Sequence, residues 1–208
     1  IKWDKVFIKN FLSLAAVQGV NYLLPLMTLP YLVRVLGVDN FGIFSFATAI
    51  VAFFAVITDY GFNFSATREI SVNKFNKTEI TKIYSSVMTL KIILMLLSFL
   101  ILCIMVFFIP KFNDNLLIYL LCYGVVLGQV LFPVWFFQGM EQMQFITVVN
   151  VFSKILSTVC IFIFINDPND LYLVPVFMSL GAIIGGFYSL RLISKEFGLS
   201  FKIQSRGE

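Results

Sequence analysis

The chain has 208 residues, 60% of them hydrophobic and only 12% charged, with a formal net charge of +4 and no histidine. A soluble domain carries about 25% charged residues, so this chain has too few to cover a soluble surface, and lipid must be the solvent for most of it. The lack of histidine excludes histidine-based catalysis and histidine metal ligation, and no stretch has the Lys/Arg-dense, aromatic-interleaved character of a nucleic-acid surface. Cys103, Cys122 and Cys160 all fall in apolar runs and read as small hydrophobes, not as a disulfide or metal framework. No metal, cofactor or nucleic-acid partner is expected.

Six windows reach the roughly 20 apolar residues that cross a bilayer: 10–33, 41–66, 83–109, 115–137, 145–165 and 171–193. Residues 1–9 form a basic tail in front of the first. The apolar run behind that tail is too long for a signal peptide and lacks a small-residue cleavage site, so a retained helix is expected. Because the chain opens on Ile1, an upstream start is expected too. In the first window Gln18, Asn21, Pro25 and Thr28 share one helical face, which points to other helices or water and not to lipid. Pro25 cannot bond the Asn21 carbonyl and should kink the helix.

The second window contains one acidic residue, Asp59, and the third contains Lys91. Between them lies the long polar connection 67–82, which opens with Arg68 and Glu69. The fourth window carries Gly124-x3-Gly128 and ends with Gln129 and Pro133, where a bend is expected. Trp135, Phe136 and Phe137 follow and are expected to form an aromatic belt at the membrane interface. Gln138 and Glu141 then shape a tight turn. The fifth window holds Lys154, with Asn150 and Ser157 or Thr158 on the same stripe. The sixth carries Gly181-x3-Gly185, and both glycine pairs allow close helix approach. Connections at 35–40, 110–114 and 166–170 are short and rich in Gly, Pro, Asn and Asp, which is turn chemistry. Residues 194–208 read as a tail or the start of a linker.

Lys and Arg are in excess on cytoplasmic loops. With the N-terminus inside, the inner segments carry Lys2, Lys5, Lys9, Arg68, Lys74, Lys77, Lys82, Arg191, Lys195, Lys202 and Arg206, while the outer turns carry only Arg34 and Lys111. Both termini are therefore expected in the cytoplasm. That orientation brings Lys91 and Lys154 roughly 12–14 Å from the inner boundary at about 1.5 Å per residue, with Asp59 at similar depth. A charge at the bilayer centre costs at least about 2.5–3.5 kcal/mol, so the three point to a polar, net-basic cavity open to the inner leaflet. Snorkelling of each ammonium to the headgroups, or a structural pair between Asp59 and one lysine, is the plainer alternative.

Three ordered motifs give a family resemblance. They are Leu29-Pro30-Tyr31-Leu32-Val33-Arg34-Val35-Leu36-Gly37 with Asn40-Phe41-Gly42; Asp59-Tyr60-Gly61-Phe62-Asn63 with Ala66-Thr67-Arg68-Glu69-Ile70-Ser71; and Pro133-Val134-Trp135-Phe136-Phe137-Gln138-Gly139-Met140-Glu141. Together they resemble a Wzx-type O-antigen or capsular repeat-unit flippase of the multidrug/oligosaccharidyl-lipid/polysaccharide exporter superfamily. The resemblance implies an all-α polytopic membrane protein whose six helices are the N-terminal lobe of a two-lobe MATE-like fold, the C-terminal lobe lying outside this chain. It implies transfer of an undecaprenyl-diphosphate-linked oligosaccharide across a bacterial inner membrane by alternating access. Partners implied are membrane lipid, a polysaccharide polymerase and a chain-length regulator. Lys91 and Lys154 would pair with the diphosphate beside Asp59, Asn150 and Asn21; Arg68 and Arg34 would form the cavity rims. A cation-coupled drug or metabolite antiporter of the same superfamily, with Asp59 as the coupling carboxylate, is the alternative. A membrane enzyme is disfavoured, because neither a large external loop nor a catalytic acid–base set is present.

Overall fold

Uninterrupted apolar runs with turn residues only between them leave helices as the one way to satisfy the backbone inside lipid. The structure, a computed structural model, describes the backbone of residues 2–199 and the side chains of residues 15 and 18–199 except Lys111. Of the tail expected at 194–208, the first residues continue the last long helix as a π turn, while 200–208 and the side chains of Lys2, Lys5 and Lys9 lie outside the described residues. Among the described residues every regular element is helical: α1 (Lys2–Leu36), α2 (Val38–Asp59), α3 (Phe62–Val72), α4 (Lys77–Phe108), α5 (Pro110–Asn113), α6 (Leu116–Leu131), α7 (Val134–Gly139), α8 (Met143–Phe164) and α9 (Leu173–Leu192), with a 3-10 turn at Pro168–Tyr172 and a π turn at Ile193–Phe197. They make six stretches long and apolar enough to cross a membrane, at Gln18–Leu36, Val38–Val72, Lys77–Phe108, Leu116–Gly139, Met143–Phe164 and Pro168–Phe197. The protein is an all-α polytopic membrane protein.

Local chemistry sets the helix ends. Asn76 caps α4 by accepting from the Glu79 amide at 3.3 Å. In the connection before α9, Asp167 and Asp170 form a reciprocal capping box, with Asp170 accepting from the amides of Asn166 and Asp167 at 3.0 Å each. The α1 helix runs unbroken through Pro25 and Pro30 and includes residues 2–9, read from sequence as a tail.

Two of the spans are discontinuous. The one expected at 41–66 breaks at Tyr60 and Gly61, with φ of 45° and 79°. A left-handed non-glycine residue such as Tyr60 is uncommon. The span beginning at Leu116 breaks at Phe132 and Pro133, where the bend was expected, because Pro133 has no amide to continue the ladder.

Small residues decide which helices lie closest. A Cβ on Gly124 would meet Ser179 at 2.7 Å, and one on Gly128 would meet the Ala182 backbone at 2.5 Å. Gly181 and Gly185 press in the same way on Ser157 and Ser153. Helix α9 is thus clasped between α6 and α8, as both glycine pairs predict. Ser179 and Ser189 of α9 add hydrogen bonds to the carbonyls of Leu121 and Leu131, at 2.7 and 3.0 Å.

The buried apolar residues fall into two clusters. One joins α1, α2, α4, α6, α8 and α9 through residues such as Leu36, Ala47, Leu102, Val126 and Ile165. The other joins α3, α7 and the start of α4 through Ile70, Tyr84, Trp135, Phe136 and Phe137. The last three are 0% exposed, so they are not an interfacial belt. The break at Pro133 turns α7 inward, and Gly139 lets it seat on Ile70, where a Cβ would come within 2.6 Å.

The two ends of the bundle differ in charge. At one, Lys74 pairs with Glu141 at 3.1 Å and Lys77 lies beside Gly198, gathering Arg68, Lys82, Arg191 and Lys195 nearby in the chain. At the other, Asn40 donates to the Pro168 carbonyl at 3.1 Å, and Asp39, Asp114, Asp167 and Asp170 accompany Arg34. These are called below the basic and acidic ends. The tight turn expected of Gln138 and Glu141 is present, with Glu141 at φ 58° and its amide donating to the Gln138 carbonyl.

Candidate functional site

Asp59 is the last residue of α2, so the break at Tyr60 leaves its carboxylate at a helix end and not in a continuous helical wall. There it meets Lys91 of α4, with Nζ 3.0 Å from Oδ1; the Lys91 side chain is 6% exposed and that of Asp59 33%. The other carboxylate oxygen accepts from Asn63 Nδ2 at 2.9 Å, which ties the first turn of α3 back across the break. Below the pair, Thr58 donates to the Phe54 carbonyl at 2.8 Å and approaches Ser98, whose hydroxyl lies 2.5 Å from the Tyr123 hydroxyl. A buried ammonium in lipid is tolerable only with a counter-charge and hydrogen bonds, and Asp59 supplies both. The pair borders a small cavity of about 190 Å³.

Lys154 sits differently. It projects from α8 into a second cavity of about 460 Å³, bounded by α1, α2, α6, α8 and α9. Its Nζ donates to Asn21 Oδ1 of α1, and no carboxylate pairs with it among the described residues. Positions 150, 153, 154, 157 and 158 form one face of α8, so Asn150, Ser153, Lys154, Ser157 and Thr158 together make a polar wall. Ser153 and Ser157 spend their protons on their own helix, on the carbonyls of Val149 and Ser153 at 2.7 and 2.8 Å. Asn150 Oδ1 is buried and lacks a hydrogen-bond partner among the described residues.

The structure thus gathers Asp59 with Lys91, and Lys154 with Asn21 and Asn150, in two neighbouring cavities. Gln129 and Phe132, at the end of α6, line both. Arg68 is exposed at the basic end and Arg34 at the acidic end, and neither lines either of these two cavities. Sequence reasoning did not assign Gln129, Thr58 or Asn63 to the site. The Asn63 signal was available, since it stands four residues after Asp59; Gln129 depends on a fold-level junction that no local pattern reveals. Among the described residues no three His, Cys, Asp or Glu side chains gather as a metal site. The arrangement can hold an anion on Lys154 while Lys91 remains neutralised.

The family described as polysaccharide biosynthesis protein matches residues 7–208. A protein of Escherichia coli (strain K12) named "Putative O-antigen transporter" is 35% identical over 188 residues, covering 90% of this chain and 45% of its own length. A Shigella dysenteriae protein of the same name is 31% identical over 190 residues, covering 90% of this chain and 47% of its own. The chain therefore spans about half the length of the curated relatives it matches. No solved structure matches it significantly. With its match running almost from end to end, the chain belongs to the polysaccharide biosynthesis protein family.

Proposed function

We propose that the protein carries undecaprenyl-diphosphate-linked oligosaccharide repeat units from the cytoplasmic to the outer face of a bacterial inner membrane, as a flippase and not an enzyme. The six helices act as the N-terminal lobe of a two-lobe, MATE-like transporter, and alternating access against the second lobe moves the headgroup. The observation that carries this reading is Lys154, an ammonium facing a cavity at membrane depth with, among the described residues, only an amide for a partner. An unneutralised cation there is costly unless its ligand is an anion that arrives from outside the protein. The relatives' name, O-antigen transporter, supports a polysaccharide-linked cargo, and a lipid diphosphate is the anionic part such a cargo presents near the headgroups. The positive-inside bias makes the basic end cytoplasmic, which puts Arg68 where cargo enters and Arg34 where it leaves, toward the polymerase and chain-length regulator.

The test is export of surface polysaccharide by cells in which the full-length protein carries Lys154→Ala. Polysaccharide should disappear from the surface and lipid-linked repeat units should accumulate inside, with the amount of protein in the membrane unchanged. Normal export by that variant would sink the proposal.

A further inference from the structure

We infer that the Lys154 cavity holds the junction between phosphate and alkyl chain of an isoprenyl phosphate, with its head toward the basic end and its sugars outside. This rests on the reading of the cargo as a lipid diphosphate and specifies which part of it the cavity takes.

The argument is the change of lining with depth. Helices α1 and α8 run parallel here, bridged by Lys154 to Asn21 and, about three turns further, by the Tyr31 hydroxyl to the Ile165 carbonyl at 2.6 Å. Between the bridges polarity falls away from the basic end. Along α8 the lining stays polar from Asn150, Ser153 and Lys154 through Ser157 and Thr158 and turns apolar at Ile161. Along α1 it passes from Asn21 to Leu24, Leu29 and Leu32, interrupted only by Thr28, whose proton is held by the Leu24 carbonyl at 2.6 Å. A lipid of the leaflet at the basic end has the same order, its headgroup outermost and its chain deeper. At about 1.5 Å per residue, the track from Lys154 to Ile161 is about 10 Å long, room for the first carbons of a chain.

Hydrogen-bonding capacity points the same way. With Ser153 and Ser157 committed to their own helix, the donors left for a ligand are the Lys154 ammonium, the Thr158 hydroxyl and the carboxamides of Asn21, Gln129 and Asn150. One ammonium suffices for a phosphate oxygen, whereas several sugar rings would bring many hydroxyls that this wall cannot satisfy, each costly if buried unpaired. A cavity of about 460 Å³ is the size that receives a drug-sized ligand, not an oligosaccharide with its lipid. Asn150 Oδ1, buried and without a partner among the described residues, is placed to accept the first hydroxyl beyond the phosphate. The sugars then pass outward along Gln129, exposed at the seam of the two cavities.

Binding to the purified full-length protein in detergent tests this, with farnesyl diphosphate, inorganic diphosphate, the free oligosaccharide and phosphatidylglycerol as probes. Farnesyl diphosphate should bind at least about tenfold more tightly than inorganic diphosphate, and Lys154→Ala should abolish the binding of both. Leu29→Ala, which trims the apolar lining without placing a polar group in the membrane, should weaken farnesyl diphosphate alone. Equal affinity for inorganic diphosphate would overturn the tail track, and competition by the free oligosaccharide would place sugars in the cavity instead. Equal competition by phosphatidylglycerol would make it a general phospholipid site and overturn the assignment. If any of these results appears while Lys154→Ala still abolishes surface polysaccharide, the inference falls and the flippase reading stands. If farnesyl diphosphate binds as expected but Lys154→Ala exports normally, the flippase reading falls instead.

Discussion

Lys91 and Lys154 lie well inside their apolar spans, away from either end, and the protein treats them in opposite ways. Lys91 is 5% exposed and fully committed, to a carboxylate that is itself held by Asn63. Lys154 is half-buried, leans on the neutral oxygen of Asn21, and faces the larger cavity. The first ammonium is neutralised from within and behaves as part of the packing between α2 and α4. The second keeps its charge unspent. What separates the two lysines is the nature of the partner, a carboxylate for Lys91 and an amide for Lys154.

The comparison breaks most visibly if Lys91 loses its counter-charge. Asp59→Ala would leave a buried ammonium unpaired, a change that costs about 3–5 kcal/mol in buried pairs. Because Asp59 is a third exposed, the lower figure, about 3 kcal/mol, is expected, read as a fall in the melting temperature of the full-length protein in detergent. The double variant Asp59→Ala with Lys91→Met should recover most of that loss, since a hydrophobic isostere often replaces a buried pair at little cost. A single variant as stable as the parent would show that Lys91 does not need Asp59.

A smaller effect tests the wall that Lys154 faces. Gly128 lines that cavity, and Gly128→Ala would drive a methyl to 2.5 Å from the Ala182 backbone. Overpacking of this kind costs about 1–3 kcal/mol, and it should also lower transport by parting α6 from α9. Gly42→Ala is the matched control: a Cβ there meets nothing within 4 Å, and a helical Gly→Ala change favours folding by up to about 1 kcal/mol. If both changes behave alike in thermal unfolding, close approach is not what Gly128 provides.

Most of the fold was legible because lipid allows few solutions. Apolar runs gave six spans, loop chemistry gave the turns, and Gly124, Gly128, Gly181 and Gly185 gave the closest contacts. The break after Asp59 was missed although Gly61 between Asp59 and Asn63 is turn chemistry, because apolar residues resume at Phe62 and Phe64 and the window reads as one span. The aromatic residues after Pro133 were misplaced for a related reason. A run of Trp and Phe at the end of a span reads as a belt unless the chain folds back, and the turn of α7 onto α3 is a tertiary event. For the site, spacing along α8 was enough to align Asn150 with Lys154, and the pairing of Asp59 with a lysine was foreseen as an alternative. What spacing could not supply was the division into two cavities, since the depths of Lys91 and Lys154 were inferred along separate helices and not across the bundle.

The smallest stability effect is expected where the largest transport effect lies. Lys154→Met removes an ammonium whose partner is an amide, and Asn21 at the cavity wall can turn to water once released. No buried charge is stranded, and the methionine side chain covers the same apolar stem, so thermal stability should shift by less than about 1 kcal/mol, the usual range for a neutral hydrogen bond. The same protein should fail to export surface polysaccharide. A stability loss matching that of Asp59→Ala would mean that Lys154, like Lys91, belongs to the packing, and the contrast between the two lysines would collapse. Stable protein with lost export would establish that an ammonium left without an anionic partner in the membrane is one held for a ligand.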